Sequence, residues 1–297
     1  MPEGDSVFRA ASRVRVECVG RAVLDAETRG PGPSFGRLRG ATLDEIETHG
    51  KNLFFKFSSG LVVHVHLRMT GKPRVVRGNA SGGAFRARLV LGPREGAASE
   101  AQGEGTTTLL FLGAPVVRLV TRSELVAIRA RLGPDPLRGE ISEPEVVEKV
   151  LAYDGTLGEA LLVQRVMAGV GNIVKCEALF LAKADPFLSC ASCTEETAGR
   201  VVTKAVELLR ASVARRGGAP RDDDSAPFAT PFRMTRGRPD PYRPADRRET
   251  TWVYGRSGEP CRACGTRIVT RPQGHPPRTT YFCPTCQGGA TKAAGVP

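Results

Sequence analysis

Apolar and polar positions follow two different rhythms along the chain. Near the start, Val7, Ala10, Ala11 and Val14 recur at i, i+3, i+4 and i+7, which predicts a helix over residues 5–16 capped by Asp5 or Ser6. From residue 20 to 121 the rhythm shortens. The runs "NLFFKF" (52–57), "LVVHVHL" (61–67), "FRARLVL" (85–91), "TTTLLFL" (106–112) and "PVVRLV" (115–120) are rich in β-branched or aromatic residues and are separated by Gly, Ser or Pro. They predict strands, and a series of such strands predicts a β-sandwich or barrel. The polar stretch 92–105 reads as a loop between two of them.

After "RLGPDPL" (131–137) the helical period returns. Ser142-x-x-Glu145 and Thr156-x-x-Glu159 read as capping boxes, and helices are predicted near 143–152, 157–168, 173–183 and 195–215. In the last, Val201, Val202, Ala205, Leu208, Leu209 and Val213 form one apolar stripe. A tight glycine turn, "AGVGN" (168–172), separates the second helix from the third. Residues 216–248 are rich in Gly, Pro, Asp and Arg, lack periodicity, and read as a long loop. No internal repeat is apparent.

Length and charge narrow the classes. A chain of 297 residues suits two cores rather than one. No apolar run approaches the ~18 residues of a membrane span, and the start carries no secretory pattern; the expected location is the cytoplasm. The net charge is +12, and fourteen Arg against seven acids between residues 215 and 278 place +7 of it there. Such a balance favours a polyanionic partner, of which nucleic acid is the commonest.

Four of the eight cysteines form a pattern: Cys261-x2-Cys264, eighteen intervening residues, then Cys283-x2-Cys286. Two such pairs suit tetrahedral Zn²⁺ with all four ligands from protein, so the site is closed to water and structural. A zinc hydrolase is excluded on that ground. Between the pairs, "RIVTRPQGHPPRTTYFC" (267–283) reads as a hairpin with Arg278 near its tip, where an Arg can hold a phosphate. Cys190-x2-Cys193 has no second pair to complete a site and reads as structural, as do His64 and His66, which alternate on one strand face.

Three separated stretches, "MPEGDSVFRAA", "LLVQRVMAGVGNIVKCEALF" and "WVYGRSGEPCRACGT…RTTYFCPTCQ", together resemble the formamidopyrimidine-DNA glycosylase and endonuclease VIII family. They occur in the family's order and spacing. The resemblance implies an α+β fold of two domains: an N-terminal β-sandwich with flanking helices, then a helix–two-turn–helix domain with a C-terminal zinc finger, with DNA between the halves. The corresponding boundaries are 1–125 for the catalytic sandwich, 126–217 for the helical domain, 218–250 for a flexible loop and 251–290 for the zinc finger.

The resemblance also implies the chemistry. Removal of an oxidised base with strand cleavage needs an amine that attacks the sugar C1′ and forms an iminium ion. A Lys side chain, with a pKa of ~10.4, is almost wholly protonated at neutral pH, whereas an α-amino group near ~7.7–8.0 is partly free base. Loss of Met1 would expose the secondary amine of Pro2, which forms a charged iminium without losing a further proton. Glu3 corresponds to the family's acid/base residue, Lys51 in "HGKNLFF" to a Lys that contacts a phosphate and assists proton transfer, and Arg278 to the zinc-finger Arg that holds phosphates and aids δ-elimination. Arg68, Met69, Arg131 and Asn172 correspond to DNA contacts, with Met69 the wedge that fills the gap left by an everted nucleotide and Asn172 a phosphate grip at a helix start. Glu177 reads as a support for the glycine turn or the lesion pocket.

The expected protein is a monomeric bifunctional DNA glycosylase and AP lyase acting on damaged DNA by β,δ-elimination. "MPEGDS" and "WVYGRSGEPC" lie closer to the endonuclease VIII branch, hence to oxidised pyrimidines; Met69 resembles the other branch and leaves oxidised purines open. A zinc-finger DNA-binding protein without catalysis is the alternative from another class.

Overall fold

The stripe at Val7, Ala11 and Val14 winds into α1 (Gly4–Cys18) and is buried along its length. The helix begins earlier than the pattern predicts. Its N-cap is Glu3, because Ser6 occupies the third helical position and its Oγ accepts the Glu3 N–H (3.0 Å). Asp5, expected as a cap, lies within the first turn and pairs with Arg9 at 2.9 Å. The computed structural model describes residues 3–29, 34–68, 70–80, 83–94, 105–139, 141–214 and 251–288. These divide into two compact units, 1–132 and 133–297.

The first unit carries eight strands: β1 (Arg21–Thr28), β2 (Leu43–His49), β3 (Asn52–Phe57), β4 (Val62–His66), β5 (Lys72–Arg77), β6 (Ala87–Arg94), β7 (Thr107–Leu112) and β8 (Val116–Val120). They form two antiparallel sheets, ordered β1-β6-β7-β5 and β2-β3-β4-β8. Alternation sends Leu53, Phe55 and Phe57, Val63 and Val65, and Leu89, Leu109 and Phe111 into one core with the apolar face of α1. Phe55 meets Phe111 edge to face with ring centroids 5.1 Å apart, joining the two sheets.

The opposite face of β3 and β4 is also covered. Phe54, Val62 and Val120 pack with Leu125 of α2 (Arg122–Ala130). This explains why Leu53, Phe54 and Phe55 follow one another without polar alternation. It also places α2 in the first unit, so the junction falls after Leu132 and not at residue 125. β6 continues to Arg94, into the segment read as a loop; residues 95–104 lie outside the described residues.

In the second unit α3 (Glu143–Leu151), α4 (Leu157–Leu162), α5 (Asn172–Leu181) and α6 (Glu195–Ala214) share a second core. α4 stops well short of the predicted residue 168. Gln164 ends it by turning its side chain on the backbone: its amide donates to the Leu162 and Val170 carbonyls (3.0 Å each) and its Oε1 accepts the Gly169 N–H (3.1 Å). The chain closes in a ribbon of β9 (Val269–Gln273) and β10 (Arg278–Phe282), antiparallel, with Arg278 opposite Gln273 next to the turn. The predicted loop at 216–248 lies outside the described residues.

Candidate functional site

In the first unit the site residues gather at the N-terminus of α1 and at one end of the β2–β4 sheet. Glu3 is buried, 1% exposed, at the head of α1, where the unpaired N–H groups of a first turn favour a negative charge. Pro2 and Met69 lie outside the described residues.

Lys51 sits in the tight turn between β2 and β3, after Gly50 and before Asn52, whose partner across the turn is His49. Gly50 adopts φ 57°, as the first central position of a two-residue II′-type hairpin loop requires. Lys51 is itself 8% exposed. Beside it on the next strand, His66 accepts the Arg68 N–H at Nδ1 (3.2 Å). Burial first, then the charges of Lys51 and Arg68, hold the His66 pKa below its ordinary value. Arg68 adopts φ 48°, uncommon for a residue with a side chain. Its turn is closed by the Gly71 N–H on the Leu67 carbonyl (2.8 Å), and a Cβ at Gly71 would lie 2.5 Å from that oxygen.

His64 is explained by packing. It stacks on Phe54 at 5.0 Å and its Nε2 meets Asn52 Oδ1 at 2.9 Å. Asn52 spends its amide on the His49 carbonyl (3.1 Å), so its oxygen accepts and His64 carries the proton on Nε2. Burial, with His66 and Arg118 nearby, brings the His64 pKa down to about 4. Arg131 caps the C-terminus of α2 and is exposed.

In the second unit α5 organises the rest. Gly171 is its N-cap and Asn172 its first residue. The Asn172 amide donates to the Thr279 carbonyl on β10 (2.8 Å), while its Oδ1 is buried without a hydrogen-bond partner among the described residues. Arg278, one residue before Thr279, is half-exposed. Glu177, expected to support the glycine turn or the lesion pocket, is bonded to the chain that enters the ribbon module. It is wholly buried, and its carboxylate accepts the N–H groups of Trp252 (2.7 Å), Val253 (3.0 Å) and Tyr254 (2.9 Å), where the chain begins the ribbon module. Burial raises its pKa against the opposing pull of those three donors.

Lys175, also buried, was not singled out from the sequence. A signal was present: a lone cation amid "NIVKCEALF", a helix whose other residues are nearly all buried. Gln164 and Gln273 were missed as well, because an amide's role depends on partners distant in sequence.

The sulfurs of Cys261, Cys264, Cys283 and Cys286 all lie within 4.8 Å of one another, with Cys261–Cys286 at 3.8 Å and Cys264–Cys283 at 3.5 Å. A tetrahedron with ligands ~2.3 Å from its centre has edges of about 3.8 Å, so the four fit one metal ion. The Ala263 and Cys286 N–H groups point at Cys261 and Cys283 sulfur (3.4 and 3.5 Å), as suits thiolates. Cys190 and Cys193 stand apart: Cys190 is buried in the helical core, which pushes its thiol up to about 11. No helix among the described residues is long and apolar enough to cross a membrane.

Residues 1–106 match the formamidopyrimidine-DNA glycosylase N-terminal domain, and residues 132–223 match the formamidopyrimidine-DNA glycosylase H2TH domain. The chain is 35% identical to the DNA-(apurinic or apyrimidinic site) lyase Nei2 of Mycolicibacterium smegmatis, over 97% of this chain and 99% of that protein. It is 33% identical to the probable endonuclease 8 2 of Streptomyces coelicolor (99% and 97%) and 32% identical to the formamidopyrimidine-DNA glycosylase of Thermus thermophilus (97% and 99%). Among solved structures, the MutM (Fpg) protein of Thermus thermophilus superposes with a TM-score of 0.73 at 31% identity, covering 97% of this chain and 100% of that one. The Lactococcus lactis enzyme bound to DNA containing an AP site shares the fold, with a TM-score of 0.74 at 22% identity over 97% of this chain and 100% of that one.

Proposed function

The chain belongs to the formamidopyrimidine-DNA glycosylase and endonuclease VIII family of DNA glycosylases and AP lyases, and from that membership we propose that it excises oxidised bases through a Schiff base on Pro2. The Pro2 nitrogen bonds to the sugar C1′ as the base departs with a proton. Opening of the ring at O4′ leaves a charged iminium, and Glu3 supplies the proton that O4′ takes up. The iminium draws electrons from the C2′–H bond; loss of that proton expels the 3′ phosphate, and a second elimination expels the 5′ phosphate. Lys51 and Arg278 hold the phosphates and assist these proton transfers. Arg68, Met69, Arg131 and Asn172 contact the DNA.

The observation that carries this reading is the buried carboxylate of Glu3 at the head of α1, immediately after Pro2. A surface acid serving only as a cap has no need of burial. The test is borohydride trapping on duplex DNA with one abasic site. Wild-type protein is expected to form a covalent adduct that Pro2→Gly reduces at least ~100-fold while DNA binding persists. Absence of an adduct in the wild type would leave a DNA-binding protein without catalysis.

The metal of the Cys261, Cys264, Cys283 and Cys286 cluster is Zn²⁺ in this proposal, since thiolates in a tetrahedral S₄ set select it. Its role is to fold the ribbon. Oxidised pyrimidines are the proposed substrates, in keeping with the relatives named endonuclease 8. Oxidised purines are the second reading, favoured by the relatives named formamidopyrimidine-DNA glycosylase at almost equal identity. A panel of oligonucleotides with thymine glycol, dihydrouracil and 8-oxoguanine separates the two by rate.

A further inference from the structure

We propose that Lys175 is a positioning residue for Arg278, acting through Thr280 and Gln273. The proposal rests on the reading of Arg278 as a phosphate contact in strand cleavage; Lys175 itself would touch no substrate.

Lys175 is fully buried on α5. An ammonium in that setting is costly unless its protons are taken up, and a helix buried almost all round, with Ile173, Val174, Cys176 and Ala178 about it, has no packing need for one. Its Nζ donates to Thr280 Oγ1 at 2.6 Å and reaches Gln273 Oε1 at 3.4 Å. An ammonium only donates, so the Thr280 hydroxyl must accept, and its own proton goes to Gln273 Oε1 (2.8 Å). That orients the Gln273 amide, whose nitrogen donates to Thr156 Oγ1 (2.8 Å) and the Pro186 carbonyl (2.7 Å). Every bond in the series thus has a single direction set by one buried charge. The fit is tight: a Cβ on Gly158 of α4 would lie 2.3 Å from Gln273 Oε1.

Arg278 lies beside this arrangement, at the turn end of the hairpin. Its cross-strand partner is Gln273, and Thr280 follows two residues later, so the three side chains share one face of the ribbon. The Thr279 carbonyl between them is held by Asn172. The Arg278 side chain makes no hydrogen bond or ion pair among the described residues, so its placement is inherited from neighbours that Lys175 orders. Glu177 fastens a different stretch, Trp252–Tyr254.

The test uses full-length protein and duplex DNA with a single abasic site, reading metal content, borohydride adduct, and the ratio of δ- to β-elimination product. Lys175→Met keeps the chain length and removes the donors. It is expected to retain metal and adduct within about twofold while the δ/β ratio falls about tenfold or more, as misplacement of a positioned group does. Arg278→Ala should lower the ratio likewise, and the double variant should fall no further than Arg278→Ala alone. Thr280→Val should repeat the effect and Thr280→Ser should restore the ratio, which keeps the test decisive should Lys175→Met fail to fold.

A wild-type ratio in both Lys175→Met and Thr280→Val, with the ratio lowered in Arg278→Ala, overturns the positioning role alone. A normal ratio in Arg278→Ala overturns the phosphate assignment beneath it. Loss of metal, adduct and both products in parallel in Thr280→Val marks a purely structural role and also overturns the proposal.

Discussion

Two hairpins in this protein are ordered by opposite means. β3–β4 in the first unit is clamped by apolar side chains on both faces, with Phe55 and Val63 in the sandwich core and Phe54 and Val62 under α2. β9–β10 in the second unit has little such surface. Of its strand residues, Phe282 is buried and apolar, whereas Val269 is exposed and the other buried side chains, Gln273 and Thr280, are polar. Its order comes from four sulfurs close enough to share a metal and from polar side chains of α5 that reach its backbone and hydroxyls. Where a segment is too small to bury apolar area, metal ligation and directed hydrogen bonds take over. Directed bonds also fix a side chain's position more narrowly than packing does, which suits the phosphate-holding role proposed for Arg278.

The largest break in this comparison should come from chelation. Removal of the metal is expected to abolish hydrogen-exchange protection across residues 253–287 while protection in β3 and β4 persists. Equal loss in both units would show that the sandwich depends on the ribbon. Next in size, Phe55→Ala should destabilise the first unit by about 3–5 kcal/mol, read as a lowered denaturation midpoint, with metal content unchanged. Loss of metal in that variant would contradict the separation.

The smallest effect is one of pH. His64 has a folded pKa of about 4 against an ordinary 6.5. Between those values the unfolded chain binds a proton that the folded chain does not, so stability falls as pH drops from 6.5 towards 4 and this contribution stops changing below it. The slope from this one group is at most ~1.4 kcal/mol per pH unit. His64→Gln should flatten it in urea titrations across that window, leaving a smaller residue from His66, whose pKa is lowered in the same direction. An unchanged slope would mean that His64 is not buried as a neutral ring.

Legibility along the chain tracked how much of each element is buried. β3, β4, β7 and β8 were readable because apolar residues dominate them. β1, β2 and β5 were not: "RAVLDAET", "LDEIETH" and "KPRVVR" carry charges on exposed faces that dilute the alternation. α2 escaped notice because Leu125 is its one buried residue. The four-cysteine cluster was plain from spacing, as a two-residue spacer has few other uses in such a pair. Lys175 and Glu177 looked ordinary because a helical period gives a residue's face and not its partner.

The amino-acid sequence by itself determined the succession of strands, then helices, then a cysteine ribbon, the two cores, the four-sulfur cluster and the family to which the chain belongs, because these follow from local periodicity and from spacings within a few turns of chain. Only the tertiary structure decided which buried polar groups meet. Thr280 and Gln273 reach Lys175 from about a hundred positions away, and the cost of an unsatisfied buried charge is settled by whatever the fold brings within hydrogen-bond reach.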